Sequence, residues 1–172
     1  MALTASPLVL DELERAPVTD RGLPADLPWI VEQAVRMKAA YVAEDPGDGG
    51  LRHTLNLGHT IAHGVEASTE HAVPHGEAVA IGLVAESRYG ESLGVTSPGT
   101  AERLEALLRR FELPVGAPPG LDAADVLART ASDKKRRGGR AVVIVPAPGG
   151  AEMIEDADVG AVLSFLRTGV AS

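Results

Sequence analysis

The stretch Leu55–Gly82, LNLGHTIAHGVEASTEHAVPHGEAVAIG, decides how this chain is read. The chain has five histidines, and all of them fall between His53 and His75. Scattered surface histidines would not cluster this way; a binding site would. His59 and His63 are four residues apart, so on a helix they share one face, with Cβ atoms about 5–6 Å apart. That spacing suits two ligands of one metal, or one ligand beside a group that touches substrate. His75 comes twelve residues after His63, where a second helix opens. An imidazole there can point back at the first helix.

Neutral imidazole suits zinc and similar divalent ions, and a catalytic zinc commonly has three protein ligands and one open position. Glu66 and Glu77 lie nearby and are candidates to orient the rings. The zincin pattern His-Glu-x-x-His is absent, because Thr60 stands where its glutamate would be. A single histidine is more often a helix cap or a hydrogen-bonded core residue. Three at this spacing favour a metal or anion site.

Composition sets the frame. The chain has 172 residues, enough for one domain with a real core. Aromatics make up only 3%, so Leu, Val, Ile and Ala must fill that core. The net charge of −8 argues against bulk binding of nucleic acid or an anionic membrane. There is no cysteine, which excludes disulfides and thiolate metal sites. No apolar run reaches transmembrane length, and the acidic N-terminus is unlike a signal peptide. The expectation is a cytoplasmic protein.

Periodicity predicts mostly helices. Pro7 opens a short one to about Arg15, and Asp26 caps another from Leu27 to about Ala43, with Ile30, Ala34, Met37 and Tyr41 on one face. The histidine segment predicts a helix from about Leu57 to Ala67 and a second from His75 to about Leu93. The second is Ala- and Gly-rich enough to be buried on several sides. A helix with Leu104, Leu107, Leu108 and Phe111 inward follows, then one capped by Asp122. KKRRGGR reads as a basic turn and AVVIVPA as the one convincing strand. Asp156 or Asp158 caps a last helix. The prediction is a single, mainly α domain over 1–172 with a minor β element.

Two further features bear on binding. SDKKRRGGR, Ser132 to Arg140, holds five of the sixteen basic residues of an acidic chain. It reads as a solvated turn or as an anion clamp, in which Lys gives mobile charges and Arg bidentate contacts. Lys38 lies beside the apolar face of its helix, and Arg52 immediately precedes the histidine helix. Each is equally readable as an ordinary surface residue.

RHTLNLGHTIAHGVEA followed by VPHGEAVAIGLV resembles the C-terminal domain of 3-dehydroquinate synthase. That family shows Arg-x-x-Leu-Asn-aromatic-Gly-His-Thr-Phe-Gly-His and, twelve residues on, His-Gly-Glu-Ala-Val. AVRMKAAYVAED and DKKRRGGRAVVIVPAPGGA resemble further family segments, so the resemblance covers nearly the whole chain. Leu57 and Ala62 depart mildly from the pattern and leave its polar side chains intact. HGEAVAIG alone would be weak, since glycerol-dehydrogenase-like and iron-dependent alcohol dehydrogenases carry similar stretches.

The resemblance implies a helical domain of the dehydroquinate synthase-like fold. It implies His59 and His75 as ligands of zinc or cobalt, and His63 and Lys38 as catalytic residues, His63 assisting proton transfer. It places Arg52, Asn56, Lys38 and one of Lys134 and Lys135 against the substrate, the last at its phosphate. The implied reaction converts DAHP, a seven-carbon keto-sugar-acid phosphate, to 3-dehydroquinate in aromatic amino acid biosynthesis. NAD oxidises a ring hydroxyl, phosphate is eliminated, the ketone is reduced back, and an aldol step closes the ring. Family members are about twice as long, and nothing here resembles their Rossmann-like NAD-binding half or the Glu-x-x-Lys element that supplies the third metal ligand. The chain is therefore expected to be inactive alone, to need that N-terminal half, and to form a homodimer when complete. The alternatives are another sugar phosphate cyclase, or a non-catalytic metal- or anion-binding helical module.

Overall fold

A computed structural model describes residues 7–20, 22–47, 50–136 and 141–166, with backbone only for 7, 8, 51 and 131–136. Helix α1 spans Pro7–Arg15 and α2 spans Leu27–Glu44. Asp26 caps α2 as expected, its side chain accepting from the Trp29 amide. A 3-10 segment, Leu51–Asn56, leads into α3 (His59–Ser68). Then follow α4 (His75–Ser92), α5 (Thr100–Arg110) and α6 (Ala123–Arg136). Strands β1 (Val142–Ala147) and β2 (Gly150–Glu155) form an antiparallel hairpin, and α7 (Val159–Ser164) is the last element among the described residues.

Helix α4 is the axis of the domain. Ala78, Ala80, Ile81, Gly82, Val84, Ala85 and Tyr89 are buried along its length, as its composition predicts. α3 packs on one side of it, α5 on another, and β1 and α7 close the remainder. The core joins Ile61 and Val65 of α3, Val126 of α6, Val143 and Val145 of β1, and Val162 of α7. α6 crosses α3 closely: a Cβ at Gly64 would lie 2.6 Å from Thr130 Oγ1.

The closest approach is between backbones. A Cβ on Gly82 of α4 would collide with the carbonyl oxygen of Gly58, at the start of α3. Gly58 itself has φ +79°, and a Cβ there would lie 2.7 Å from the Val79 carbonyl. Glycine is needed at both positions, for space at one and for space and conformation at the other.

Two expectations need correction. Lys134, Lys135 and Arg136 do not form a turn; they continue α6, because charged long side chains favour helix as much as they favour solvent. The rest of that basic segment, 137–140, lies outside the described residues. The β element has a second strand, GAEMIE, which pairs with β1 from Val142↔Glu155 to Ala147↔Gly150. Its residues, three exposed and three half-buried, lack the apolar alternation that marks a strand.

Gly82→Ala is expected to destabilise the protein by roughly 1–3 kcal/mol or more, since the clash is with backbone that cannot rotate away. That outweighs a helix-propensity gain of up to about 1 kcal/mol. Gly76→Ala, where a Cβ meets nothing within 4 Å, is expected to be neutral or mildly stabilising. Urea unfolding of both variants checks the contrast; equal effects would mean the two backbones are not in contact.

Candidate functional site

The three motif histidines come together where α3 and α4 begin. The ring centroids of His59 and His75 are 5.3 Å apart, those of His59 and His63 5.7 Å, and those of His63 and His75 6.4 Å. His59 is half-buried, whereas His63 and His75 are exposed. His71, on the connecting loop, and His53, on the 3-10 segment, are not in this ring cluster.

Each of the two proposed ligands has one ring nitrogen already engaged. His59 Nδ1 lies 3.0 Å from the carbonyl oxygen of Leu57, so this nitrogen donates and leaves Nε2 as an acceptor. His75 Nδ1 lies 3.1 Å from Glu66 Oε1. Of the two carboxylates expected to orient the rings, Glu66 therefore does so. Burial lowers the His59 pKa, with the Leu57 carbonyl pulling it back up and His63 and His75 lowering it further. The neutral ring thus favoured is the form that binds metal.

The pair fits a shared ion. With metal–nitrogen bonds of 2.0–2.1 Å, two imidazoles on one tetrahedral metal have centroids about 5.2 Å apart. The His59–His75 separation matches this, and both His63 separations exceed it. Among the described residues, no group of three or more His, Asp or Glu side chains is arranged to hold a metal ion by itself. The chain presents two imidazoles at this spacing, not a closed cage.

The other expected residues lie on separate elements. Arg52 and Asn56 lie on the 3-10 segment directly before α3. Asp45, just past the end of α2, holds that segment: its Oδ2 accepts from the amides of Gly50 and Arg52 at 2.9 and 3.1 Å. Thr60 Oγ1 donates to the Val142 carbonyl at 2.8 Å and ties the start of α3 to β1. Lys134 and Lys135 lie in the last turn of α6, just beyond the Thr130 contact with α3; their side chains are outside the described residues. Lys38 is exposed on α2. It stands not on the half-buried face of Ile30, Ala34, Met37 and Tyr41 but in the outer stripe with Val31, Val35 and Val42.

One important residue escaped the sequence reading. Glu86 of α4 is fully buried, and its two oxygens accept from the amides of Gly58 and Ile61, at 2.8 and 3.1 Å. Burial pushes its carboxyl up to about 8, against the pull of amide donors at Ile61, Gly58 and Thr60. The available signal was a lone acid in an otherwise buried stretch, between Glu77 and Glu91.

Comparison with known proteins shows the family. Residues 1–136 match the model of the 3-dehydroquinate synthase C-terminal domain. The chain belongs to the 3-dehydroquinate synthase family. It is 41% identical over 150 residues to the 3-dehydroquinate synthase of Xanthomonas oryzae pv. oryzae, covering 83% of this chain and 40% of that protein. Against the enzyme of a Synechococcus species it is 41% identical over 152 residues, covering 86% and 41%. The chain thus spans about two fifths of the length of these curated relatives. In fold it is similar to ValA, the 2-epi-5-epi-valiolone synthase of Streptomyces hygroscopicus, solved with NAD+ and Zn2+ bound. The TM-score is 0.78 at 22% identity, over 96% of this chain and 47% of that one. It is also similar to 2-deoxy-scyllo-inosose synthase in complex with carbaglucose-6-phosphate, NAD+ and Co2+. There the TM-score is 0.68 at 15% identity, over 98% and 51%. The expected dehydroquinate synthase-like helical fold is therefore observed. No helix among the described residues is long and apolar enough to cross a membrane.

Glu86 should give this family member a measurable pH signature. Its carboxyl is raised from 4.5 to about 8 on folding, so its favourable contribution is complete below about pH 4.5. As pH rises through 8 that contribution is lost, because only the unfolded chain ionises freely. The stability of wild type relative to Glu86→Gln should fall by up to about 1.4 kcal/mol per pH unit between pH 5 and 8, and level off above. A urea-unfolding series across this range measures it; a difference that is flat or rises with pH would refute the assignment.

Proposed function

We propose that the chain is the metal- and substrate-binding half of a 3-dehydroquinate synthase, converting DAHP to 3-dehydroquinate and phosphate. The observation that carries this reading is the His59–His75 pair, 5.3 Å apart, with both Nδ1 atoms engaged. Zinc, or cobalt in its place, would be held by these two rings and a third ligand from outside the chain. When bound, the metal supplies a Lewis acid for the substrate's hydroxyl oxygens, and NAD supplies reversible hydride transfer.

The chain's own residues do the remaining work. Leu57 and Glu66 hold the ligating rings in orientation. His63, exposed beside both, takes and returns a substrate proton. Arg52 and Asn56 contact the sugar acid from a segment pinned by Asp45, with Lys38 reaching it from α2. Lys134 or Lys135, at the end of α6, meets the phosphate, where a cation also stabilises the leaving group's charge.

The NAD-binding half is the proposed partner. α2 supports this: it has no buried residue, and Leu27, Val31, Val35 and Val42 are 37%, 52%, 62% and 36% exposed along one stripe. An exposed apolar stripe of that kind marks an interaction surface. The complete enzyme would be a cytoplasmic homodimer.

The test is reconstitution. The chain is purified alone and after co-expression with the NAD-binding half of the Xanthomonas relative. NAD-dependent phosphate release from DAHP is expected only from the co-expressed pair. In the reconstituted enzyme, His63→Ala should lower kcat by roughly 10²–10⁴-fold. Lys134→Ala or Lys135→Ala should raise KM for DAHP. Phosphate release by the chain alone, or a stable complex that turns over no DAHP, would defeat the reading.

A further inference from the structure

Glu86 is buried mid-way along α4, and no step of the proposed chemistry uses it. Burying a carboxyl is costly, and an apolar side chain of similar size would fill the same space without that cost. What an apolar side chain cannot do is accept hydrogen bonds. Glu86 accepts two, from the amides of Gly58 at 2.8 Å and Ile61 at 3.1 Å. His59 sits between those two amides. A single side chain therefore fixes the backbone on both sides of the proposed ligand.

The source of this cap matters. A helix start is ordinarily capped by its own flanking residue, which fixes the helix to nothing else. The residue before α3 is Gly58, which has no side chain to cap with. The acceptor comes instead from α4, 28 residues beyond Gly58 and 25 beyond Ile61. α4 is also the helix whose first residue is His75. A rotation or slide of α3 against α4 would strip both amides of their acceptor. It would also move His59 relative to His75. From the clamped backbone, the order passes to the ring through the Leu57 carbonyl at His59 Nδ1.

We propose that Glu86 is a positioning residue for metal binding, setting His59 on α3 in register with His75 on α4 so that the two imidazoles meet at one ion. This rests on the metal reading given above.

The experiment titrates the full chain with Co2+ alone and reads visible absorption, with His59→Ala as the reference for site-specific signal. Glu86→Gln keeps the size and one acceptor; Glu86→Met keeps neither acceptor. Circular dichroism fixes a temperature at which each variant remains helical. Co2+ affinity is expected to fall about tenfold or more in the Gln variant, and further in the Met variant. Thr96→Val is the stability control. It removes an equally buried hydrogen bond, Thr96 Oγ1 to the Pro146 carbonyl at 2.6 Å, far from the histidines in the chain. It should lower the unfolding temperature and leave Co2+ affinity unchanged. Folded Glu86 variants that bind Co2+ as wild type does, with the same spectrum, would overturn the proposal and leave Glu86 a purely structural group. If the Met variant does not fold, the Gln variant decides. Where wild type alone gives no His59-dependent absorption, the titration is run on the pair co-expressed with the NAD-binding half, and absence there too would overturn the metal reading itself, and the proposal with it.

Discussion

The backbone of α3 meets the backbone of α4 at Gly58 and Gly82, with no side chain between them. Most helix pairs are held apart by the side chains at their contact. Here the spacer is removed, and small residues on both helices, Ala62 and Ala78 among them, keep the contact tight. His59 is the next residue after Gly58, and His75 starts the other helix. The distance between their rings is therefore set by how closely two backbones approach. A methyl group at Gly82 would change a chemical distance in the site without touching a histidine.

Electrostatics follow from the same packing. A carboxyl under the first turn of α3 faces the positive end of that helix, a favourable place for negative charge. Its burial works against ionisation and outweighs the amide donors, pushing the carboxyl up to about 8. The exterior is acidic, at −8 overall, which is unhelpful for a phosphorylated acid at long range. Screening limits that penalty, since the Debye length is about 8 Å at physiological ionic strength. Arg52, Lys38 and the Lys134–Lys135 pair come from three different elements, and in the proposed function they would meet the charged ends of such an anion.

What could be read from the sequence was what is local. His59 and His63 share a helical face because four residues make about one turn, and α4 reads as buried because Ala and Gly recur along it. β1 was legible from its apolar run, and β2 was not, because its half-buried and exposed residues follow no apolar alternation. The last turn of α6 was misread as a loop because charge says where a residue sits and not what backbone it has. Glu86 was invisible for a different reason. Its meaning lies in two amides more than twenty residues away, and no local pattern encodes that contact. The family resemblance supplied residue roles that spacing alone left open, and it too passed over Glu86.

α2 shows how docking and ligand binding become linked in the proposed assembly. Lys38 sits in the outer stripe between Val35 and Val42, and in this chain that stripe faces water. A partner covering the valines would also remove water from around the ammonium. A desolvated cation is unfavourable unless an anion is placed beside it. The proposed sugar-acid substrate would be such an anion. Docking of the nucleotide-binding half then strengthens the Lys38–substrate contact, because the same charge pair interacts more strongly at lower effective dielectric. By linkage, bound substrate must tighten the docking of the two halves by the same factor. In the proposed assembly the apolar stripe and the lysine within it would act as one device: the valines would define where the partner sits, and the lysine would make that association depend on the ligand.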